Sequence, residues 1–212
     1  MKKVFTTILA ASMMLIGANA FAQTSIGVGF VNSTDNYKTG STKNNTNLNG
    51  FYVGAAYNVP LAGNLSVAPG IYYTLVTKSD ANSYAGIAST KCDVQEHYLS
   101  VPVMFNYTLF SLSDGISAKL YAGPTFAYGI ASKDKISGSI AGFSGDTTID
   151  NYDEDYNYNR FDVMLGGGLA VDFYDLVRFN VGYDYGLLNR YTGDADITRH
   201  RSQIRVGVAY LF

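Results

Sequence analysis

From His200 to Phe212 the chain alternates residue by residue. Ile204, Val206, Val208, Tyr210 and Phe212 fall on one face, and Gln203, Arg205, Gly207 and Ala209 on the other. A period of two specifies a β-strand with a single apolar face. The segment ends on Phe212 with nothing behind it. No other feature limits the fold as tightly, because such a strand must find neighbours on both sides and an apolar medium for one face.

The pattern recurs. Ser25–Val31 carries Ile26, Val28 and Phe30 against Gly27 and Gly29, and Leu48–Val59 carries Phe51, Val53, Ala55 and Tyr57. Leu65–Thr77, Val94–Leu109, Ile116–Ala131, Asn159–Tyr174 and Val177–Arg190 alternate in the same way, which makes eight strands with the terminal one. After the N-terminal region no run of apolar residues is long enough for a membrane helix. Yet 47% of the chain is hydrophobic, with 22 Gly, 18 Tyr and no Trp. Apolar content of this kind, spread over alternating strands, suits a transmembrane β-barrel.

The N-terminus points to secretion. Lys2 and Lys3 precede an apolar stretch from Ile8 to Ile16, and Ala20-Phe21-Ala22 then precedes Gln23. This is the pattern of a cleaved signal peptide, so residues 1–22 are expected to be removed and residues 23–212 to form one domain. Removing the two lysines takes the formal charge from -2 to -4, a balance that argues against nucleic-acid binding. Cys92 is the single cysteine, so no disulfide framework exists.

Connections alternate in length. Long polar segments lie at Asn32–Asn47, Lys78–Asp93, Ser132–Tyr158 and Tyr191–Arg199, and short ones at Pro60–Asn64, Phe110–Gly115 and around Asp175 and Leu176. The expectation is an all-β, eight-stranded, antiparallel up-and-down transmembrane barrel with short periplasmic turns and long extracellular loops. Pro69, Pro102 and Pro124 fall inside strands and are expected to mark bulges, with Pro60 in a turn.

A soluble carrier barrel would also alternate, with the apolar face turned inward. The polar face decides against it. Arg160, Asp162, Gly166, Gly168, Asp172, Arg178, Gly182, Asp184, Gly186, Arg205 and Gly207 combine glycines with isolated charges of both signs, which fits a narrow, filled interior. Aromatic residues at strand ends (Tyr107, Phe173, Phe179, Tyr210 and Phe212 on one side, Phe30, Phe161 and Tyr185 on the other) resemble membrane-interface girdles. Interior charges must pair, so Asp184 is expected opposite Arg205 and Asp172 beside Arg178, with Lys119 close by.

Tyr98–Val103 (YLSVPV), Leu120–Pro124 (LYAGP), Gly166–Leu169 (GGGL) and the terminal strand, in this order, resemble the outer-membrane β-barrel domain family. That family is common in Bacteroidota and is sometimes called porin-like or PorT-like, and the architecture also resembles OmpX-type barrels. The resemblance implies location in the bacterial outer membrane, contact with its lipid and lipopolysaccharide, and insertion by the barrel-assembly machinery, which reads a C-terminal aromatic such as Phe212. It implies no single activity.

Candidate chemistry is sparse. His200 and Ser202 share one face, as in the His-x-Ser element of outer-membrane lipid A deacylases, but the sequence offers no Glu on a neighbouring strand to orient the histidine. His97 beside Glu96 reads as a strand-end pair. Asp146, the run from Asp150 to Asp155, Tyr156 and Tyr158 read as a solvated loop without calcium-loop spacing. Gly27-Val28-Gly29 and Gly166–Gly168 lie in strands and not in nucleotide-binding turns. No catalytic, cofactor-binding or metal-binding residue is assigned, and no cofactor is expected. The expected function is structural, adhesive or partner-binding, carried by surface loops that meet an extracellular protein or glycan. The alternatives are a lipid-modifying enzyme and a narrow solute or ion pathway.

Overall fold

The computed structural model describes residues 23–84, 88–112, 115–140, 143–153, 156–193 and 196–212. The expected signal peptide lies outside these residues. Nine strands form one antiparallel sheet: β1 Gln23–Thr39, β2 Thr42–Ala62, β3 Leu65–Tyr84, β4 Ala88–Ser111, β5 Ile116–Ile140, β6 Phe143–Asp150, β7 Phe161–Phe173, β8 Val177–Gly186 and β9 Ile197–Leu211. Their order is β4-β3-β2-β1-β9-β8-β7-β5-β6, with a further pairing of β4 to β5.

This corrects the expected eight-stranded ring. Among the described residues the sheet has nine strands, and the additional one, β6, pairs only with β5 and leaves the sheet an open edge. The extra strand arose inside the stretch expected to be the longest loop. There β5 runs on past Tyr128, where its pairing with β7 ends, and β6 takes the vacated side from Lys133 to Ile140. Two other expected long loops, Asn32–Asn47 and Lys78–Asp93, are also largely strand. The β1–β2 ladder continues to Thr39 against Thr42, and β3–β4 to Tyr84 against Ala88. Backbone pairing needs no apolar face, so a ladder can continue beyond the membrane through residues whose side chains give no alternating signal.

The apolar face points outward. Val28, Phe179 and Val206 are 50%, 54% and 50% exposed, whereas Asp172 and Asp184 are fully buried. Phe161 departs from its expected girdle role, because it is buried. The turn after β7 is tight. Leu176 N–H donates to the Phe173 carbonyl at 3.0 Å, and both central residues, Tyr174 and Asp175, have positive φ. That is the hairpin geometry whose twist matches its strands, here built without glycine.

Pro69, Pro102 and Pro124 do not shift the register, and Pro60 lies in β2 and not in the expected turn. The β3–β4 ladder skips Gly70 and Ile71 and resumes in step, and the β4–β5 ladder skips Val103 and Met104 likewise. β7 pairs past Pro124 without interruption. A missing N–H costs a ladder bond locally but adds no residue, and only an added residue changes parity. The shifts lie elsewhere, at Pro60/Ala62, His97/Tyr98 and Thr108/Phe110. The second leaves Ile130 as an extra residue on β5, because Gly129 opposes Tyr98 and Ala131 opposes His97. Below it the inward residues of β5 are odd-numbered, and above it they are even-numbered, beginning with the fully buried Ser132.

Candidate functional site

The interior is built from glycines and tyrosines in complementary positions. A Cβ on Gly29 would lie 2.5 Å from the Tyr52 ring, one on Gly54 would meet the Tyr72 ring at 2.5 Å, and one on Gly182 would meet the Tyr121 hydroxyl at 2.2 Å. The alternating glycines therefore make room for aromatic rings that cross the interior. Tyr52 donates to Asn180 Oδ1 at 3.2 Å and packs edge-on against Tyr72.

Two interior charge clusters are paired, while Asp162, also buried, has no ion pair among the described residues. Asp172 accepts Arg178 Nε at 2.6 Å and Nη2 at 2.8 Å, and Lys119 Nζ lies 2.6 Å away. Asp184 pairs with Arg205, Nε to Oδ2 at 2.7 Å. Both expected pairs form, the second diagonally, since the register sets Asp184 opposite Gln203.

Towards the end opposite the β7–β8 turn a larger cluster closes the interior. Glu96 pairs with Arg201, lies 3.7 Å from Arg190 Nη1, and accepts from Tyr158 at 3.4 Å and Ser132 at 3.5 Å. Arg190 and Arg199 lie over the Tyr158 ring at 4.4 and 4.7 Å, Arg201 over Tyr98 at 4.4 Å, and Arg199 pairs with Asp35. Arg190 and Tyr158 come from connections and not from strands. Asn151 N–H bonds the Ser132 carbonyl at 2.9 Å, Thr192 N–H bonds that of Asn157 at 2.9 Å, and Tyr158 bridges to Tyr191. The supposed solvated knot is thus partly folded in: Tyr152 lies against Gly129 and Arg160, while Asp146 pairs with Lys135 at 3.2 Å on the surface. Glu154 and Asp155 lie outside the described residues. Sequence reading missed Glu96 and Arg190. Arg201 was findable, since it stands two residue pairs from Arg205 on the same face.

The histidines take other roles. Neighbours in a strand point to opposite faces, so His97 turns away from Glu96 and its Nδ1 meets the Tyr73 hydroxyl at 2.5 Å. His200 stacks on Tyr185, and its Nδ1 lies 3.1 Å from the Gly186 carbonyl, the place an orienting carboxylate would take. Ser202 Oγ accepts from Asn36 Nδ2 at 3.1 Å. Among the described residues no group of three or more His, Cys, Asp or Glu could hold a metal ion.

Beyond the membrane the sheet splits. β2 and β3 pair only up to Asn49 and Thr77, so the outer parts of β3–β6 form a flap separate from β9–β1–β2. The flap is amphipathic. Its outer face carries Ser79 bonded to Asp93 at 2.6 Å, Lys91 paired with Asp93 at 2.7 Å, and Ser89 bonded to Ser139 at 2.8 Å. Lys91 and Ser79 hold the Asp93 carboxyl below its usual range. The Ile130 bulge sends Asp134, Ile136 and Ile140 to the inner face, where the register adds Val94, Cys92, Phe143 and Ile149. Burial pushes the Asp134 carboxyl up, and burial with nearby carboxylates does the same for the Cys92 thiol.

The model of the family described as outer membrane protein beta-barrel domain matches residues 19–191. The chain belongs to this family. It is therefore a protein of the bacterial outer membrane, and its outward apolar belt faces lipid. None of the curated proteins matches it. Among solved structures it is similar to Ail of Yersinia pestis in complex with the heparin analogue sucrose octasulfate, at 17% identity over 90% of this chain and 99% of that one, with a TM-score of 0.46. It is also similar to the outer membrane enzyme PagL, at 14% identity over 84% and 97% with a TM-score of 0.47. Neisserial surface protein A follows at 15% over 87% and 96% with a TM-score of 0.42. The assignment rests on the family match and on the lipid-facing belt.

Proposed function

We propose that this outer-membrane protein is a non-enzymatic binding protein, whose extracellular flap docks a polypeptide or glycan partner. One observation carries the reading: the flap presents an apolar inner face, with Ile140 62% and Phe143 81% exposed, beside the open edge of β6. Exposed apolar surface next to unpaired backbone groups is the composition of a docking surface. The interior, closed by the Glu96 cluster and crossed by Tyr52, Tyr72 and Tyr121, supports a scaffold role, because a channel would need a free path through it. Lipopolysaccharide around the outer rim and the barrel-assembly machinery during insertion complete the set of partners proposed from the family's general character.

The test replaces residues 137–146 with a two-residue turn and measures whole-cell adhesion to a panel of extracellular-matrix proteins and sulfated glycans. The expected result is lost binding with unchanged insertion, judged by heat-modifiable migration on gels. Adhesion equal to that of the unaltered protein would overturn the reading.

A further inference from the structure

The half of the interior nearer the β7–β8 turn holds a cavity of about 90 Å³ to which eight strands contribute. Its floor is open because small residues line it, among them Ser25, Ala56, Ala68, Ala170 and Ala209. Its roof is aromatic, formed by Tyr52, Tyr72 and Tyr121. Arg178 and Arg205 stand in its wall, with Asn106 and Asn180.

The two arginines are held in a particular way. Arg178 donates from Nε and Nη2 to Asp172, while Arg205 donates from Nη2 to Asp184 Oδ1 at 2.9 Å and holds Nε 2.7 Å from Oδ2 as an ion-pair contact. A guanidinium has five N–H donors, and this side-on grip occupies one edge. The opposite edge, with Nη1, points away from the carboxylate. Charge in this half of the interior is also unequal: Lys119, Arg178 and Arg205 face Asp172 and Asp184. Asp175, in the turn after β7, is exposed.

We propose that this cavity binds a small organic carboxylate entering from the periplasm. The carboxylate meets the second edges of Arg178 and Arg205, and its apolar end lies against the tyrosine roof. The aspartates hold the guanidinium planes in place, so the site is preorganised and little side-chain entropy is lost on binding. The site is separate from the extracellular flap, and its fate does not depend on the function proposed for that flap.

The experiment uses the full folded protein in lipid nanodiscs with ring-labelled tyrosine, and follows Tyr52, Tyr72 and Tyr121 by NMR. The probes are propionate, its neutral isostere propionamide, inorganic phosphate, and sodium chloride as the ionic-strength control. Propionate is expected to give saturable shifts at the three rings, with propionamide at least tenfold weaker. Ala68→Leu and Ala170→Leu fill the cavity without removing a charge, and each is expected to abolish the shifts while heat-modifiable migration is retained. Arg178→Gln is expected to weaken propionate binding at least fivefold and leave propionamide unchanged. Shifts no larger than those given by chloride, equal response to propionamide, or full binding in both filled variants would each overturn the proposal. Phosphate binding as tight as that of propionate would overturn the carboxylate assignment.

Discussion

Arg205 reaches Asp184 diagonally across β8 and β9, with Nε 2.7 Å from Oδ2, although the register places Gly182 opposite Arg205. Room for the pair comes from Gly166, where a Cβ would lie 2.1 Å from Asp184 Oδ1. Removing one member strands a buried charge, which costs about 3–5 kcal/mol. Arg205→Ala is therefore expected to destabilise the protein by that order. The double change with Asp184→Ala should cost clearly less than the sum of the two single ones. Urea unfolding in lipid vesicles measures all three, and additive losses would remove the coupling.

Gly182 is the clearest test of the glycine–tyrosine packing. A Cβ there would meet the Tyr121 hydroxyl at 2.2 Å, with the next atoms at 3.1 Å. Gly182→Ala should cost about 1–3 kcal/mol as an overpacked site. Adding Tyr121→Phe removes the conflicting oxygen and should recover most of that loss. A double variant as unstable as Gly182→Ala alone would show that the conflict lies in the backbone.

The Asp134 carboxyl, at the base of the flap, is raised by burial. A carboxylate with a raised folded value favours the protonated form in the folded state, so it lowers stability at neutral pH. That loss is relieved as the pH falls through the folded value. Protection of β4 and β5 amides, corrected for the intrinsic pH dependence of exchange, should accordingly rise on mild acidification. Asp134→Asn should raise it at neutral pH and flatten the response. Unchanged protection in Asp134→Asn would contradict this.

The Glu96 cluster closes the interior at the end opposite the β7–β8 turn, and Tyr52, Tyr72 and Tyr121 cross it below. Planar-bilayer recording is expected to give no steady conductance for the unaltered protein. A reproducible ion-selective current would mean that the cluster opens.

His200 Nδ1 faces a backbone carbonyl and Ser202 accepts from Asn36, so neither is arranged as an activated pair. Lipid A from cells carrying His200→Ala should match that from cells with the unaltered protein by mass spectrometry. A lost deacylated species would restore the enzymatic alternative.

Period-two alternation was enough to determine a lipid-facing sheet with charged residues and glycines inside. Membrane and interior impose opposite demands on successive residues, and that contrast is written into β7, β8 and β9. The pairs Asp172–Arg178 and Asp184–Arg205 followed from the same contrast, because buried charges must be neutralised. Outside the membrane the contrast ends, and both faces tolerate polar residues. There the sequence could not distinguish β6 and the flap from loops. The Glu96–Arg190–Tyr158 cluster was decided by tertiary structure alone, since Arg190 and Tyr158 arrive from connections whose path no periodicity records. The Ile130 bulge belongs with it. One inserted residue reversed the faces of β5 and turned Ile136 and Ile140 inward, and the prolines that looked like the disrupted positions kept their register.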